Sequence, residues 1–367
     1  MKSEIEQRLE KAQNLMGDRG FAALAFSSAE NIQYFTGVVE PSIHACGVVI
    51  LLQQAKPILA VMWLDKAAAQ EQAVEIEIKT YTHDNQEEVI TKILERSGTD
   101  RNKIGVDERA LKRLGNSLRR TFPHAELVDI SNTVALRAVK SEEEIRLIQR
   151  ACKISEQGMK MALESARPGM TELEVAALAE QQMIRLCSDR LKHITMVASG
   201  SRASLIHPFA TNKKIAEGDL VVVDLGAVYG GYCSDIARTI FIGKPDEEIK
   251  NAFDALSTVQ DIVLEKLRPG ISISEIENIA FESARANGHH LIGFVGHNIG
   301  LQVEEYPFIR TAGAADPDLK LEKNMAVAFF QGSIQRKTNV GIRLEDTVLI
   351  TESGAELLTT YPRALVI

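Results

Sequence analysis

Two aspartates within an apolar hairpin constrain this chain more than any other feature. Asp224 and Asp235 lie in VVVDLGAVYGGYCSDIART, which predicts an apolar strand, a Gly-rich turn and a second strand. Burying an ionised carboxylate without a partner costs several kcal/mol. Across a hairpin, both carboxylates can face one point, which favours a shared cation. The alternative is that one aspartate caps the turn while the other pairs with Arg238.

Length and composition limit the classes of protein to which this chain can belong. The chain has 367 residues, which predicts two domains, and its 45% hydrophobic and 25% charged content is typical of soluble globular proteins. A net charge of −8 argues against nucleic-acid or anionic-membrane binding. We expect no signal peptide and no membrane span, because the N-terminal residues are highly charged and the apolar stretches are strand-length. The four scattered cysteines predict a reduced, cytoplasmic protein.

The hydrophobic pattern changes near residue 136, where we place a domain boundary. Residues 1–135 alternate helical and strand patterns, which predicts an α/β domain, with helices at 63–75 and 86–97. Residues 136–367 open with a long amphipathic helix, for which Ser141 and Glu144 provide a capping box. Six strands are predicted in the first domain, in the segments FAALAFSS, GVVILLQ, KPILAVMW, IEIKTYT, KIGVDE and AELVDI.

A weak internal repeat runs through the second domain. The sequences RPGMT at 167–171 and RPGIS at 268–272 each stand between a long amphipathic helix and a second helix. Each offers a Thr or Ser N-cap with a glutamate three residues later. Convergent capping chemistry could produce this similarity, but the recurring order of elements favours a duplicated half-domain with an active site between the halves.

Two further segments complete a candidate metal site. His297 lies between glycines in GFVGHNIGLQVEEYP, and Glu345 lies in the strand VGIRLEDTVLITESG. Each has an ordinary alternative, since a loop histidine is usually hydrogen-bonded and Glu345 could pair with Arg343. Together with the two aspartates, they form an oxygen-rich set with one nitrogen. Such a set suits Mn²⁺, Co²⁺, Fe²⁺ or Zn²⁺, as one ion or as two bridged by Asp235 and Glu345.

These ordered motifs resemble the pita-bread metallopeptidases. The elements Asp224-x₁₀-Asp235, GHNIG and GIRLEDT carry the resemblance, and KSEEEI and SSAENIQYFTGV are similar to the prolidase and aminopeptidase P branch. The resemblance implies an α+β protein whose C-terminal pita-bread domain, with a pseudo-twofold repeat, follows a creatinase-like N-terminal α/β domain. It also implies a homodimer and a metal-dependent hydrolase, with manganese as an expected ion. Its metal ligands carry over to Asp224, Asp235, His297 and Glu345.

The chain departs from the family pattern at two positions. The family's remaining ligand glutamate lies in a strand that here reads NMAVAFFQGSI, so that Phe330 or Gln331 occupies its place. Glu304 replaces the histidine of the family's H-E-x-P segment. The upstream substrate-binding histidine corresponds to His207, and Arg343 is a candidate for holding Glu345 or a substrate carboxylate.

Three interpretations of function follow. The first is a metal-dependent hydrolase resembling Xaa-Pro dipeptidase or Xaa-Pro aminopeptidase, in which His207, Glu304 and Arg343 assist a metal-activated water. The second is a creatinase-like hydrolase or lyase that acts on a small amide with one ion or none. The third is an inactive family member. We expect weakened metal binding at the His297 position, unless Glu304 or Glu305 supplies the lost charge.

Overall fold

The chain forms two compact units, Met1–Leu136 and Arg137–Ile367. Their division falls one residue from the predicted boundary. A computed structural model describes residues 3–39, 47–96, 103–131, 136–191, 194–288, 291, 295–310, 318–335 and 340–366, with the backbone alone described for 330–335 and 340. None of the helices in these ranges is long and apolar enough to cross a membrane.

The first unit is a mixed sheet flanked by helices. Its strands are ordered β4-β3-β2-β1-β5-β6, with β1–β5, β5–β6 and β3–β4 parallel and the other two pairs antiparallel. Apolar residues of both strands and helices form its core. The elements are α1 (Glu4–Arg19), β1 (Phe21–Phe26), α2 (Ala29–Thr36), β2 (Val48–Leu52), β3 (Ile58–Met62), α3 (Lys66–Gln72), β4 (Glu77–Tyr81), α4 (Gln86–Glu95), β5 (Lys103–Val106), α5 (Glu108–Thr121) and β6 (Glu126–Asp129).

All six predicted strands are present, and both predicted helices are present but shorter. The sequence patterns predicted neither α2 nor α5. The predicted strand KIGVDE ends early because the Asp107 side chain accepts a hydrogen bond from the Ala110 amide and caps α5. Asp107 also accepts from the amides of Ser27 and Ser28 before α2. One buried carboxylate therefore organises the starts of both missed helices.

The second unit contains a long antiparallel sheet and four described α-helices. Its strands follow the order β13-β12-β14-β15-β11-β8-β7, β16 pairs with β15, and β9 and β10 form a separate hairpin. The elements are α6 (Glu142–Ser165), α7 (Glu172–Arg185), β7 (Met196–Ser199), β8 (Leu220–Leu225), β9 (Val228–Tyr229), β10 (Tyr232–Cys233), β11 (Ile236–Phe241), α8 (Glu247–Lys266), α9 (Ile273–Ala286), β12 (Gly296–Asn298), β13 (Glu305–Ile309), β14 (Ala326–Gln335), β15 (Val340–Thr351) and β16 (Gly354–Leu357).

The two repeated corners adopt the same local structure. Thr171 and Ser272 both form the predicted capping boxes, as does Ser141 at the start of α6. Thr171 forms an isolated bridge with Lys214, and Ser272 forms the equivalent bridge with Lys320. The duplication therefore extends to the strand-like segment against which each corner packs.

A buried ion pair joins β11 to β15 on the side opposite the candidate metal residues. Arg238 donates to Asp346 Oδ1 at 2.6 Å and to the carbonyl of Glu345 at 2.7 Å. Asp346 also accepts from Gln260 and Thr359. Burial raises the pKa of Asp346, and the adjacent guanidinium opposes that shift. The alternative interpretation of the hairpin required Arg238 to pair with one of its two aspartates. Arg238 instead pairs with Asp346.

Removing this carboxylate is expected to destabilise the second unit. Asp346→Asn leaves the Arg238 charge buried without its acidic partner, which should lower the free energy of unfolding by about 3 kcal/mol. Urea denaturation followed by circular dichroism measures the change. Glu352→Gln, at an exposed position beyond β15, is the matched control and should change it by less than about 0.5 kcal/mol. Equal stability of the two variants would contradict the prediction.

Candidate metal centre

The antiparallel ladder brings the candidate ligands to one face of the sheet. Ala237 of β11 lies opposite Asp224 on one side and opposite Glu345 on the other. Residues directly opposite in a ladder share a face, and so do residues two apart on one strand. Asp224 and Glu345 therefore lie on the face that contains Asp235, which immediately precedes β11. His297 of β12 lies opposite Ala328, two residues before position 330.

Three of the predicted ligands form a compact buried cluster. His297 Nε2 lies 3.8 Å from Asp235 Oδ2 and 3.8 Å from Glu345 Oε1. One ligand atom from each of the three residues lies within 4.8 Å of the other two. Two ligands held at about 2.1 Å from one ion are separated by about 3 to 4 Å, depending on their angle at the ion. The spacing and donor chemistry of these residues therefore fit a single divalent cation.

Neighbouring groups orient these ligands. His297 Nδ1 lies 3.2 Å from the carbonyl of Asn298, which fits a ring protonated at Nδ1 with the lone pair of Nε2 directed at the carboxylates. The amide of Asp235 donates to Thr347 Oγ1 at 3.0 Å, and the Thr347 hydroxyl donates back to the Asp235 carbonyl at 2.8 Å. Thr347 and Asn298 were not anticipated as supporting residues, because such contacts depend on the strand pairing.

Asp224, the fourth predicted ligand, makes a different contact. Its Oδ2 accepts from Arg343 Nη1 at 2.8 Å, and both side chains are buried. Arg343 also donates to the carbonyls of Leu205, at 3.5 Å, and of Ile206. The candidate roles of Arg343 were to hold Glu345 or a substrate carboxylate. Its ion pair with Asp224 was not anticipated, because it requires the side chain to reach across β11 to β8.

The predicted catalytic residues Glu304 and His207 lie outside the cluster. Both are exposed, and His207 follows the carbonyls that Arg343 contacts. Glu305 is buried, with Oε1 3.1 Å from Arg137 Nη2 and Oε2 3.7 Å from Lys140 Nζ. These cations already compensate Glu305, so the suggestion that Glu304 or Glu305 supplies the lost metal-site charge is not supported by their positions.

The backbone register distinguishes the two candidates for the lost ligand position. Residue 330 lies directly opposite Glu345, whereas residue 331 lies opposite Leu344. Position 330 therefore belongs to the same face as Glu345, and position 331 to the other face. Counting along the sequence could not separate these positions, because it contains no information on strand pairing.

The two tyrosines of the aspartate hairpin have packing and structural contacts. The Tyr232 hydroxyl donates to Glu144 Oε1 at 2.7 Å, and Arg150 stacks over the Tyr229 ring. Both contacts join the hairpin to α6. These tyrosines therefore fix the hairpin that carries the aspartates rather than entering the cluster.

Sequence profiles of two known families cover most of the chain. Residues 146–352 match metallopeptidase family M24, and residues 8–139 match the creatinase/prolidase N-terminal domain. The chain is 31% identical to the Xaa-Pro dipeptidase of Pyrococcus furiosus over 364 residues, which are 98% of this chain and 100% of that protein.

Solved structures show the same similarity. The prolidase of Pyrococcus horikoshii OT3 superposes with a TM-score of 0.86 at 28% identity, covering 98% of this chain and 100% of that one. An X-Pro aminopeptidase of Thermotoga maritima superposes with a TM-score of 0.85 at 28% identity, covering 98% and 99%.

Restoring a carboxylate at position 330 is expected to create a second ion position. Elemental analysis after dialysis against excess Mn²⁺ should find about one ion per wild-type chain and about two per Phe330→Glu chain. The physical reason is that the new carboxylate shares the Glu345 face and adds negative charge beside His297.

Gln331→Glu is the matched control, since it adds the same charge one residue away on the other face. It should bind about one ion per chain. Two ions bound by Gln331→Glu and one by Phe330→Glu would contradict the register argument, and two ions in the wild type would show that the missing carboxylate is compensated.

Proposed function

Because this chain belongs to metallopeptidase family M24, we propose that it hydrolyses Xaa-Pro dipeptides with one divalent ion held by Asp235, His297 and Glu345. The observation that carries this proposal is the buried cluster in which His297 Nε2 lies 3.8 Å from a carboxylate oxygen of each acid. The similarity to Xaa-Pro dipeptidases and prolidase structures favours a prolidase-like metallopeptidase over creatinase-like chemistry or an inactive protein.

Each residue of the centre has a distinct part in this proposal. When bound, a divalent ion lowers the pKa of a coordinated water and polarises a carbonyl oxygen. Asp235 and Glu345 bring the negative charge that attracts the cation, and the Asn298 carbonyl fixes the ring of His297. Arg343 neutralises Asp224 and holds the segment that carries His207. The exposed imidazole of His207 is then available to donate to an oxygen of the peptide.

A single ion is favoured by the charge distribution. Asp224 has Arg343 as a close cationic partner, and the family glutamate is replaced at position 330. A site with fewer carboxylates and a compensating guanidinium attracts fewer cations. We therefore place the one ion with His297, contrary to the expectation of weak binding there, and expect the second position, beside Asp224, to be empty or labile. Mn²⁺, Co²⁺, Fe²⁺ and Zn²⁺ all suit this donor set, and manganese is the ion that the family resemblance favours.

The assembly and location of the protein are also part of the proposal. The family resemblance favours a homodimer, which light scattering coupled to gel filtration would measure. The scattered cysteines favour the cytoplasm, and Cys152, Cys187 and Cys233 are free thiols within the described part of the chain. The proposed substrates are small peptides, in keeping with the peptidase relatives.

Hydrolysis of Gly-Pro by the Mn²⁺-loaded protein tests the proposed activity. We expect turnover of Gly-Pro in preference to Gly-Ala, and its loss on treatment with a chelator. Glu345→Gln should reduce kcat/KM by at least about 100-fold and weaken Mn²⁺ binding, because it replaces a charged ligand with a neutral amide.

Glu352→Gln, at an exposed position seven residues further on, controls for loss of an acid and should retain full activity. Equal activity of Glu345→Gln and wild type would overturn the assignment of the centre. Gly-Pro hydrolysis that survives chelation would instead favour metal-independent chemistry.

A further inference from the structure

Glu172, the first residue of α7, has a fully buried carboxylate whose hydrogen bonds lead away from its own helix. Its Oε1 accepts from the Ser199 amide at 2.8 Å and the Ser199 hydroxyl at 2.9 Å. Its Oε2 accepts from the Thr211 amide at 3.1 Å and the Thr211 hydroxyl at 2.7 Å. Capping of α7 is performed by Thr171 and Glu174, so Glu172 is not needed for that purpose.

The two partners of Glu172 stand at the two ends of one segment. Ser199 is the last residue of β7, and residues 200–210, which include His207, lie between it and Thr211. We call residues 200–210 the histidine segment. A single carboxylate thus closes the base of this segment by bonding both of its flanking residues.

Arg202 connects the inside of the histidine segment to the same carboxylate. Its Nε lies 3.2 Å from Glu172 Oε2 and 3.3 Å from Oε1, while its Nη2 donates to the carbonyl of Phe209 at 2.6 Å. The guanidinium therefore links Glu172 to backbone on the far side of His207. On the sheet side, Arg343 holds the carbonyls of Leu205 and Ile206.

Several side chains of the histidine segment are exposed although its backbone is anchored. Leu205, Ile206 and Phe209 are 47%, 45% and 67% exposed, and His207 is exposed beside them. Exposed apolar side chains grouped beside an imidazole on a fixed backbone form a surface that a small peptide can contact. The anchors set the position of that surface relative to the metal face through Arg343 and Asp224.

The second half of the duplicated domain supplies an internal comparison. Ile273 occupies the position that corresponds to Glu172, directly after Ser272, and it is buried. The corner nevertheless forms in the same way: Gly169 donates to Ile215 at 2.9 Å and Gly270 donates to Leu321 at 2.8 Å. The corner therefore folds with either residue type, and the carboxylate of Glu172 is associated with the histidine segment rather than with the corner.

We propose that Glu172, acting with Arg202, is a positioning residue that holds the histidine segment in place for peptide binding. This inference rests on the proposed function, in which His207 contacts the substrate. Neither residue touches the metal cluster. Loss of either should let the histidine segment move while the ion remains bound.

Hydrogen exchange and kinetics of Glu172→Gln together test the proposal. The amide keeps the size of the side chain but loses its charge and half of its acceptor capacity. Exchange of amides in residues 200–210 should accelerate by about tenfold or more, and kcat/KM for Gly-Pro should fall by about tenfold, mainly through KM. Mn²⁺ affinity, measured by isothermal titration, should stay within about twofold of wild type.

Glu174→Gln is the matched control, since it removes a capping carboxylate two residues along the same helix. It should leave exchange in residues 200–210 and kcat/KM unchanged. Arg202→Ala, at a partly exposed site, tests the same anchor if Glu172→Gln folds poorly. Arg202→Lys should restore only part of the protection from hydrogen exchange in residues 200–210, because lysine lacks the planar fork of the guanidinium.

These measurements distinguish failure of the positioning role of Glu172 from failure of the proposed peptidase function. Unchanged exchange in both Glu172→Gln and Arg202→Ala would overturn the anchoring role. Faster exchange with unchanged kcat/KM would overturn the positioning role. Absence of Gly-Pro hydrolysis by the wild-type protein would overturn the proposed function, and the exchange data would still decide whether Glu172 holds the segment.

Discussion

The antiparallel ladder through β8, β11, β15 and β14 determines the chemistry of this protein, because it places buried carboxylates from separate strands on one face. Like charges in a buried site repel one another and raise the cost of folding unless a cation joins them. The chain meets that requirement in two ways. Arg343 compensates Asp224, whereas Asp235 and Glu345 converge with His297 in a set that fits a divalent ion.

Much of this organisation could be predicted from local sequence signals. Apolar strands, capping boxes and the repeated corners depend on residues close together in the chain, and these predictions were confirmed. The identities of Asp235, His297 and Glu345 as neighbours followed from ordered motifs. The missed helices α2 and α5 show the limit of this approach, because their starts share Asp107, whose contacts with Ser27 and Ser28 link distant parts of the chain.

Long-range pairing decided what the sequence could not. Whether residue 330 or 331 lies opposite Glu345 depends on the ladder register, and the ion pair of Arg343 with Asp224 depends on the reach of the guanidinium across β11. In the sequence alone, Glu172 is an ordinary acidic residue in the first turn of a helix. Its hydrogen bonds to Ser199 and Thr211 depend on tertiary structure, because these residues lie 27 and 39 positions away in the chain. Charged residues with several equally plausible partners thus require tertiary structure for their assignment.

The alternation of acids along β15 has a consequence for folding fidelity. Glu345 faces the metal cluster, while its neighbour Asp346 meets Arg238 on the reverse side. A β15 displaced by one residue would put Leu344 in the place of Glu345 or Thr347 in the place of Asp346, depending on the direction of the slip, so that one of the two sites would lose its acid. The Arg238 contact therefore favours correct strand alignment before any metal is bound, so the apoprotein can assemble its binding site in advance of its ion.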